Sequence, residues 1–457
     1  MSDPRYTDGV ETLLGDPQRA VRRLSVPMII AMSLQTAYNL FDAIWVSGLG
    51  SDALAAVGFA FPMFFIILGI GAGIGLGGSS AIARRIGAKD RDGAQRVLTH
   101  TLFLTLAASA ALTVPLFLYT EEIFLAMGAG EVTPLAVEYG RIVFGGAVVI
   151  ILANVLAATL RGEGDARRSS ILLAFGSVLN IILDPILIYG LDMGIAGAAW
   201  ATVIAFGLVT LALLRIYLCK NDTFIRLHIK GYQWESGINR DVLRVGAPAS
   251  LQFISMALTQ FVMIILILMV DDTDGVAIYS TGWRVISLAI IPLQGIASAV
   301  TPITGAAYGA MRFDKLSITH LYSVRFALYI TVVLMVLLFV FAPQVMTLFT
   351  WSPDSVHLFD DLVEFLRIFA FMVPGVAFGM LSSATFQGMG MGMKALVATI
   401  FRAVLLSVVF CYVLGVVLGM GLIGLWIGLC SANVIGSLIV FSWVRLTIRR
   451  IDRGVHA

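Results

Sequence analysis

About twelve stretches of twenty or more mostly apolar residues recur along this 457-residue chain, and twenty such residues are what an α-helix needs to cross a ~30 Å hydrocarbon layer. Inside a bilayer no water satisfies backbone N–H and C=O groups, so a spanning stretch of this kind has to be helical. Composition agrees, because 59% hydrophobic and 13% charged residues fall well short of the roughly one-quarter charge of a water-facing domain. The fold class expected is all-α and polytopic, with twelve transmembrane helices. A formal net charge of +2 points to no nucleic-acid partner. Cys219, Cys411 and Cys430 have no metal-ligand spacing and no disulfide framework is expected.

The first apolar block follows a polar segment holding Asp3, Asp8, Glu11 and Asp16, unlike a cleavable signal peptide, so the first span is expected to stay in the protein. Spans are expected at about 25–48, 54–82, 97–119, 138–160, 170–190 and 196–218, then at 246–270, 276–308, 320–342, 360–386, 395–417 and 421–445. The polar stretch 219–244 separates the two sets. It divides the chain into a first six-helix bundle (1–218), a linker and a second bundle (245–457). With the amino terminus inside, the inner segments hold 26 of the 30 lysines and arginines, the bias that retains loops in the cytoplasm. A multi-pass protein of the cell membrane with both termini cytoplasmic is expected.

Short echoes link the halves. Gly87, Ala88 and Asp92 recur 222 residues later as Gly309, Ala310 and Asp314, and Pro27 recurs as Pro248 after 221. Glu138, Tyr139 and Arg141 return as Glu364, Phe365 and Arg367, and Gly162, Gly164 and Gly197 as Gly388, Gly390 and Gly424, at offsets of 226 to 227. Each half has an even number of spans, so both run the same way. The expected relation is a pseudo-twofold along the membrane normal with a central cavity.

A carboxylate at mid-bilayer costs roughly 2.5–3.5 kcal/mol on insertion scales, so it persists for a reason. Asp42 and Asp184 both qualify, each about six residues, or roughly 9 Å, below the outer end of its span. Gln35 and Tyr38 share a helical face with Asp42 in span 1, Asn180 lies one turn below Asp184 in span 5, and Thr202 reaches the same level in span 6. Pro185 frees the carbonyl of Ile181 as a further oxygen at a bent helix. Oxygen ligands with two carboxylates suit a small hard cation, and the same carboxylates can carry a proton; both Na+ and H+ stay open at Asp42, Asn180, Asp184 and Thr202. As single residues, Asn180, Gln35 and Thr202 fit equally well as interhelical hydrogen-bond glue. At the repeat offsets the second half sets Met263 or Ile264 against Asp42 and Phe410 or Cys411 against Asp184. The coupling chemistry is therefore expected in the first bundle alone.

Pro27, the YNLFDAIWV run Tyr38–Val46, ALAAVG at Ala53–Gly58, ARRIGAKD at Ala83–Asp90 and LRGEGD at Leu160–Asp165 together resemble the multidrug and toxic compound extrusion (MATE) family. The likeness in span pattern covers the whole chain, and Asp42, Asn180, Asp184 and Thr202, with Tyr38 and Gln35, look like the cation site of its DinF-like branch as found in archaea. The resemblance implies a secondary antiporter that exports organic, often cationic or amphipathic, compounds against inward H+ or Na+ by alternating access. It implies that loading Asp42 bends span 1 near Pro27, and it adds Tyr139 and Asn154 to the pocket. It further implies small-molecule substrates in a lipid bilayer, no cofactor beyond the coupling ion, and a monomer.

An alternative is a flippase for lipid-linked saccharides, which needs several cavity-lining cations for a pyrophosphate; mid-span, only Arg284 and Arg402 are available. An enzyme would need a nucleophile with a base, or a metal cluster, whereas the histidines lie near span ends, loops or the terminus. No enzyme is expected. Gly73, Gly75 and Gly78 satisfy GxGxxG inside an apolar span with no preceding strand, which is no dinucleotide site; Gly69, Gly73 and Gly77 are expected to form a close-packing face.

Overall fold

The computed structural model describes residues 6–219, 222–228, 233–271, 273–350 and 356–454; the expected linker 219–244 therefore falls partly outside the described residues. Every described element is helical. Ten helices are long and apolar enough to cross a membrane, and two bent pairs bring the number to twelve. In chain order the spans are Pro17–Ser47, Ser51–Gly87, Arg91–Leu118, the pair Gly130–Gly145 and Ala147–Gly162, Ala166–Gly190, Gly194–Cys219, Ser236–Leu268, Thr273–Gly309, Phe313–Val340, the pair Val356–Ala370 and Met372–Gly388, Gly392–Val417 and Gly421–Asp452. They are numbered 1 to 12 below.

Several helices outrun the bilayer. Span 1 starts at Pro17 and span 2 ends at Gly87, so turns bearing Arg19, Arg22, Arg23, Arg84 and Arg85 continue the helix beyond the apolar run. Aspartates set the starts at this basic end: Asp16 accepts the Arg19 N–H at 2.9 Å, Asp90 that of Gly93 at 2.8 Å, and Asp165 that of Arg168 at 3.0 Å. Spans 4 and 10 bend by 45° and 44°. Span 4 breaks at the Gly145–Gly146 pair, a weak point in a helical ladder. In span 10, Pro374 cannot donate to the carbonyl of Ala370, where that helix breaks.

The backbone repeats what the sequence echoes suggest. Residues with positive φ turn the loops at matching places: Lys89 (61°) and Met311 (57°), Gly164 (89°) and Gly390 (79°), Asp192 (54°) and Gly419 (67°), Gly194 (55°) and Gly421 (61°). Contacts between the halves come in exchanged pairs, as a twofold requires. A Cβ on Gly87 would lie 2.0 Å from the Ala306 carbonyl, and one on Gly309 would lie 1.9 Å from that of Arg84; 84 and 306 are the same 222 apart as 87 and 309. Likewise Gly73 abuts Ser250 while Gly295 abuts Ile29. The fold is two related six-helix halves.

These approaches all lie toward the end carrying the basic loops. There Arg84 pairs with Asp241 at 2.6 Å, and Ser80 donates to the Gln387 carbonyl at 2.6 Å. The short helix Asp8–Leu14 lies against Gly164, and Lys315 of the second half donates to the carbonyls of Leu14 and Gly15. Toward the other end a Cβ added at Gly58 of span 2 would meet none of the described residues outside its own helical turn within 4 Å. The contacts described between the halves thus gather toward the basic end.

Candidate ion and substrate site

Spans 1 and 5 pack along each other, and the outer turn after Pro185 fixes their register. That turn, Ile186–Gly190, widens to a π-helix, which lets the Tyr189 hydroxyl donate to the Trp45 carbonyl while the two rings meet edge to face at 6.4 Å. Asp42 stands one turn below Trp45, and Asp184 immediately precedes Pro185. The outer ends of the two acid-bearing helices are thus pinned together.

Asp42 and Asp184 lie within electrostatic reach of each other. Tyr38 and Tyr139 both feel the two carboxylates, which places the outer segment of span 4 at the same pocket. Asp184 is 0% exposed, and the Oδ1 atoms of both Asp42 and Asp184 are buried with no hydrogen-bond partner among the described residues. Buried acceptors without donors are uncommon and costly. Two orphaned acceptors near one another are what a cation or a pair of protons would satisfy.

Asn180 and Thr202 complete one wall. With the Asn180 amide turned so that its hydrogen bonds are satisfied, its nitrogen donates to Asp184 Oδ2 at 3.2 Å and its oxygen accepts from the Thr202 hydroxyl and backbone N–H, each at 3.2 Å. Gln35 and Tyr38 border a small cavity with Gly176, Asn180, Phe206 and Val209, about large enough for a water. Asn154 donates to the Ile150 carbonyl of its own helix at 2.9 Å. Pro27 lies within an unbroken span 1, about 22 Å along the axis from Asp42. Among the described residues no three His, Cys, Asp or Glu side chains gather as a metal site.

Two features escaped the sequence reading. Glu163, in the loop between spans 4 and 5, is 2% exposed and accepts the Ile225 N–H at 3.2 Å. Burial pushes its carboxyl up to about 8, neighbouring Asp165 adding to the rise, while the Ile225 N–H and Arg168 oppose it. A glutamate in a glycine-flanked loop reads as solvated; its burial depends on residues 222–228 folding back over it. The Arg84–Asp241 pair joins residues 157 apart, and no local pattern marks it.

The MatE family model matches residues 27–186 and again 248–413, once in each half. The chain belongs to the MatE family. Its members are transporters and not enzymes. This MatE chain is 28% identical over 444 residues, 94% of each protein, to the probable multidrug resistance protein YoeA of Bacillus subtilis (strain 168). It is 41% identical to a MATE structure in the straight conformation, with a TM-score of 0.94 over 98% of this chain and 100% of that one. A MATE structure in the bent conformation gives 41% and 0.93 over 98% and 99%. This MatE protein is accordingly a multi-pass membrane transporter with small-molecule substrates.

Proposed function

We propose that the protein is an antiporter of the cell membrane that exports organic, often cationic or amphipathic, compounds by alternating access, driven by H+ or Na+ entering at Asp42 and Asp184. The observation that carries this is the pair of neighbouring carboxylates with unsatisfied buried Oδ1 atoms. Asn180, itself bonded to Thr202, holds Asp184, while Tyr38, Tyr139 and Gln35 line the approach and Asn154 contributes farther along span 4. The moving parts are the bundles 1–218 and 245–457, joined by 219–244, in a monomer with both termini cytoplasmic. In that orientation the contacts between the halves at Arg84–Asp241 and Ser80–Gln387 lie on the cytoplasmic side.

Ion binding shifts the equilibrium only by its differential affinity for the two states. Neutralising two buried carboxylates on neighbouring helices removes a charge repulsion and a desolvation penalty that depend on how tightly spans 1 and 5 close. Pro27, which leaves one ladder bond unmade, is where span 1 yields; relatives solved straight and bent support such a motion. The test loads purified protein into vesicles and follows a cationic dye with a pH gradient and a Na+ gradient imposed separately. Uphill dye movement under at least one gradient is expected, and dye movement indifferent to both would reject coupling.

A further inference from the structure

The second half carries a cation at the place the repeat matches to the lining of the uncharged first-half cavity. Arg402 and Gly436 stand 226 and 227 residues beyond Gly176 and Val209, two residues that border that cavity. Both pairs touch: a Cβ on Gly176 would lie 2.7 Å from a Val209 methyl, and one on Gly436 would lie 2.7 Å from Arg402 Cγ. Asn433 matches Phe206, another lining residue, and accepts from Arg402 Nη1 at 2.7 Å.

A guanidinium has five N–H donors, and this one is given a single hydrogen bond among the described residues. No span of the second half offers it a mid-span carboxylate, since every Asp and Glu of residues 245–457 lies toward a span end or in a loop. Beside it, Ser437 is 0% exposed with an unpartnered hydroxyl. Both donors face the backbone of Gly379, where a Cβ would come 2.6 Å from Ser437 Oγ and 3.1 Å from Arg402 Nε. The helix around Arg402 widens to a π-helix over Phe401–Leu406, a distortion frequent at functional positions. Its counterpart in span 5 is regular α-helix.

We propose that Arg402, Asn433 and Ser437 form a subsite for a carboxylate group of the transported compound. A mid-membrane arginine with unused donors and a neighbouring buried hydroxyl recognises a planar monoanion; one guanidinium is too little charge for a pyrophosphate. With the acid pair in the first half, the transporter takes amphipathic zwitterions, the cationic end toward Asp42 and Asp184 and the carboxylate toward Arg402. This rests on the export reading, yet it is tested at equilibrium with no ion gradient, so failure of coupling does not touch it.

Rhodamine 110, which has a free carboxylate, and rhodamine 123, its methyl ester, are titrated by anisotropy into the purified protein in nanodiscs. Arg402→Gln is expected to weaken rhodamine 110 at least about tenfold and rhodamine 123 less than about twofold, with Arg402→Lys recovering most of the loss. Ser437→Ala is expected to show a smaller loss confined to the same dye. In the wild type, benzoate is expected to displace rhodamine 110 and spare rhodamine 123, an arm that stands even where the Arg402 variants fail to fold. Equal weakening of both dyes, no weakening of either, or displacement by inorganic pyrophosphate in preference to benzoate would overturn the subsite. A wild type that binds neither dye would count against both the subsite and the export reading.

Discussion

At the residue scale, Asp42 and Asp184 were legible because a carboxylate inside an apolar run is conspicuous, and equal depth on two helices ties the pair together. Asn180 was legible only as a companion at helical spacing; that it bridges Asp184 to Thr202 at 3.2 Å on each side depends on how span 6 rotates. Removing that bridge leaves a buried carboxylate oxygen without a donor. Asn180→Ala should raise the coupling-ion concentration for half-maximal transport about tenfold, as read from transport rate against ion concentration; an unchanged midpoint would assign Asn180 to packing. Glu163 was illegible, because burial of a loop glutamate is a tertiary fact. Its carboxyl moves up from 4.5 to about 8, so its contribution to stability is fully present below pH 4.5 and is lost as pH rises through 8. Tm should therefore fall between about pH 4.5 and 8, and Glu163→Gln should flatten that fall; parallel pH profiles for the two proteins would contradict the assignment.

At the scale of elements, the twelve spans followed from apolar length, whereas the two bends did not. Gly145–Gly146 and Pro374 sit among other span glycines and prolines that leave helices unbroken, such as Pro62 and Pro115, so residue type alone does not locate a 45° break. Helix ends were also displaced, since arginine-bearing turns past the bilayer continue the helix without an apolar signal. The exchanged contacts of Gly87 with Ala306 and Gly309 with Arg84 make a specific forecast. Gly87→Ala and Gly309→Ala each force spans 2 and 8 apart and should lower dye efflux to a similar degree, on the order of tenfold. Gly58→Ala, whose Cβ would meet none of the described residues outside its own helical turn within 4 Å, should stay within about twofold. Unequal effects at the two reciprocal glycines would argue that the interface is less symmetric than its contacts.

For the whole molecule, two halves and their relation were readable from offsets of 221 to 227, because the same turns and close approaches need the same small residues twice. The state of the molecule was not readable, since an identical sequence serves both ends of the transport cycle. What joins the halves at the basic end is long-range: Arg84, whose side chain is 12% exposed, meets Asp241 at 31%. Asp241→Asn leaves that guanidinium without a carboxylate, keeping its bonds to Ser80 and Gly388, and should favour opening at this end by on the order of 1 kcal/mol, about a fivefold population change. Spin-label distances across the basic loops would show the broader distribution, and a distribution identical to wild type would remove the pair from the closure.

The central claim is that Asp42 and Asp184 act as one coupling site, and gradient-driven dye transport by Asp42→Asn, Asp184→Asn and the double variant in vesicles tests it most directly. Residues that work as a unit are non-additive: each single variant should lose uphill transport while still binding dye, and the double variant should be no worse than either. Uphill transport retained by one single variant, or losses that multiply in the double, would contradict a shared site.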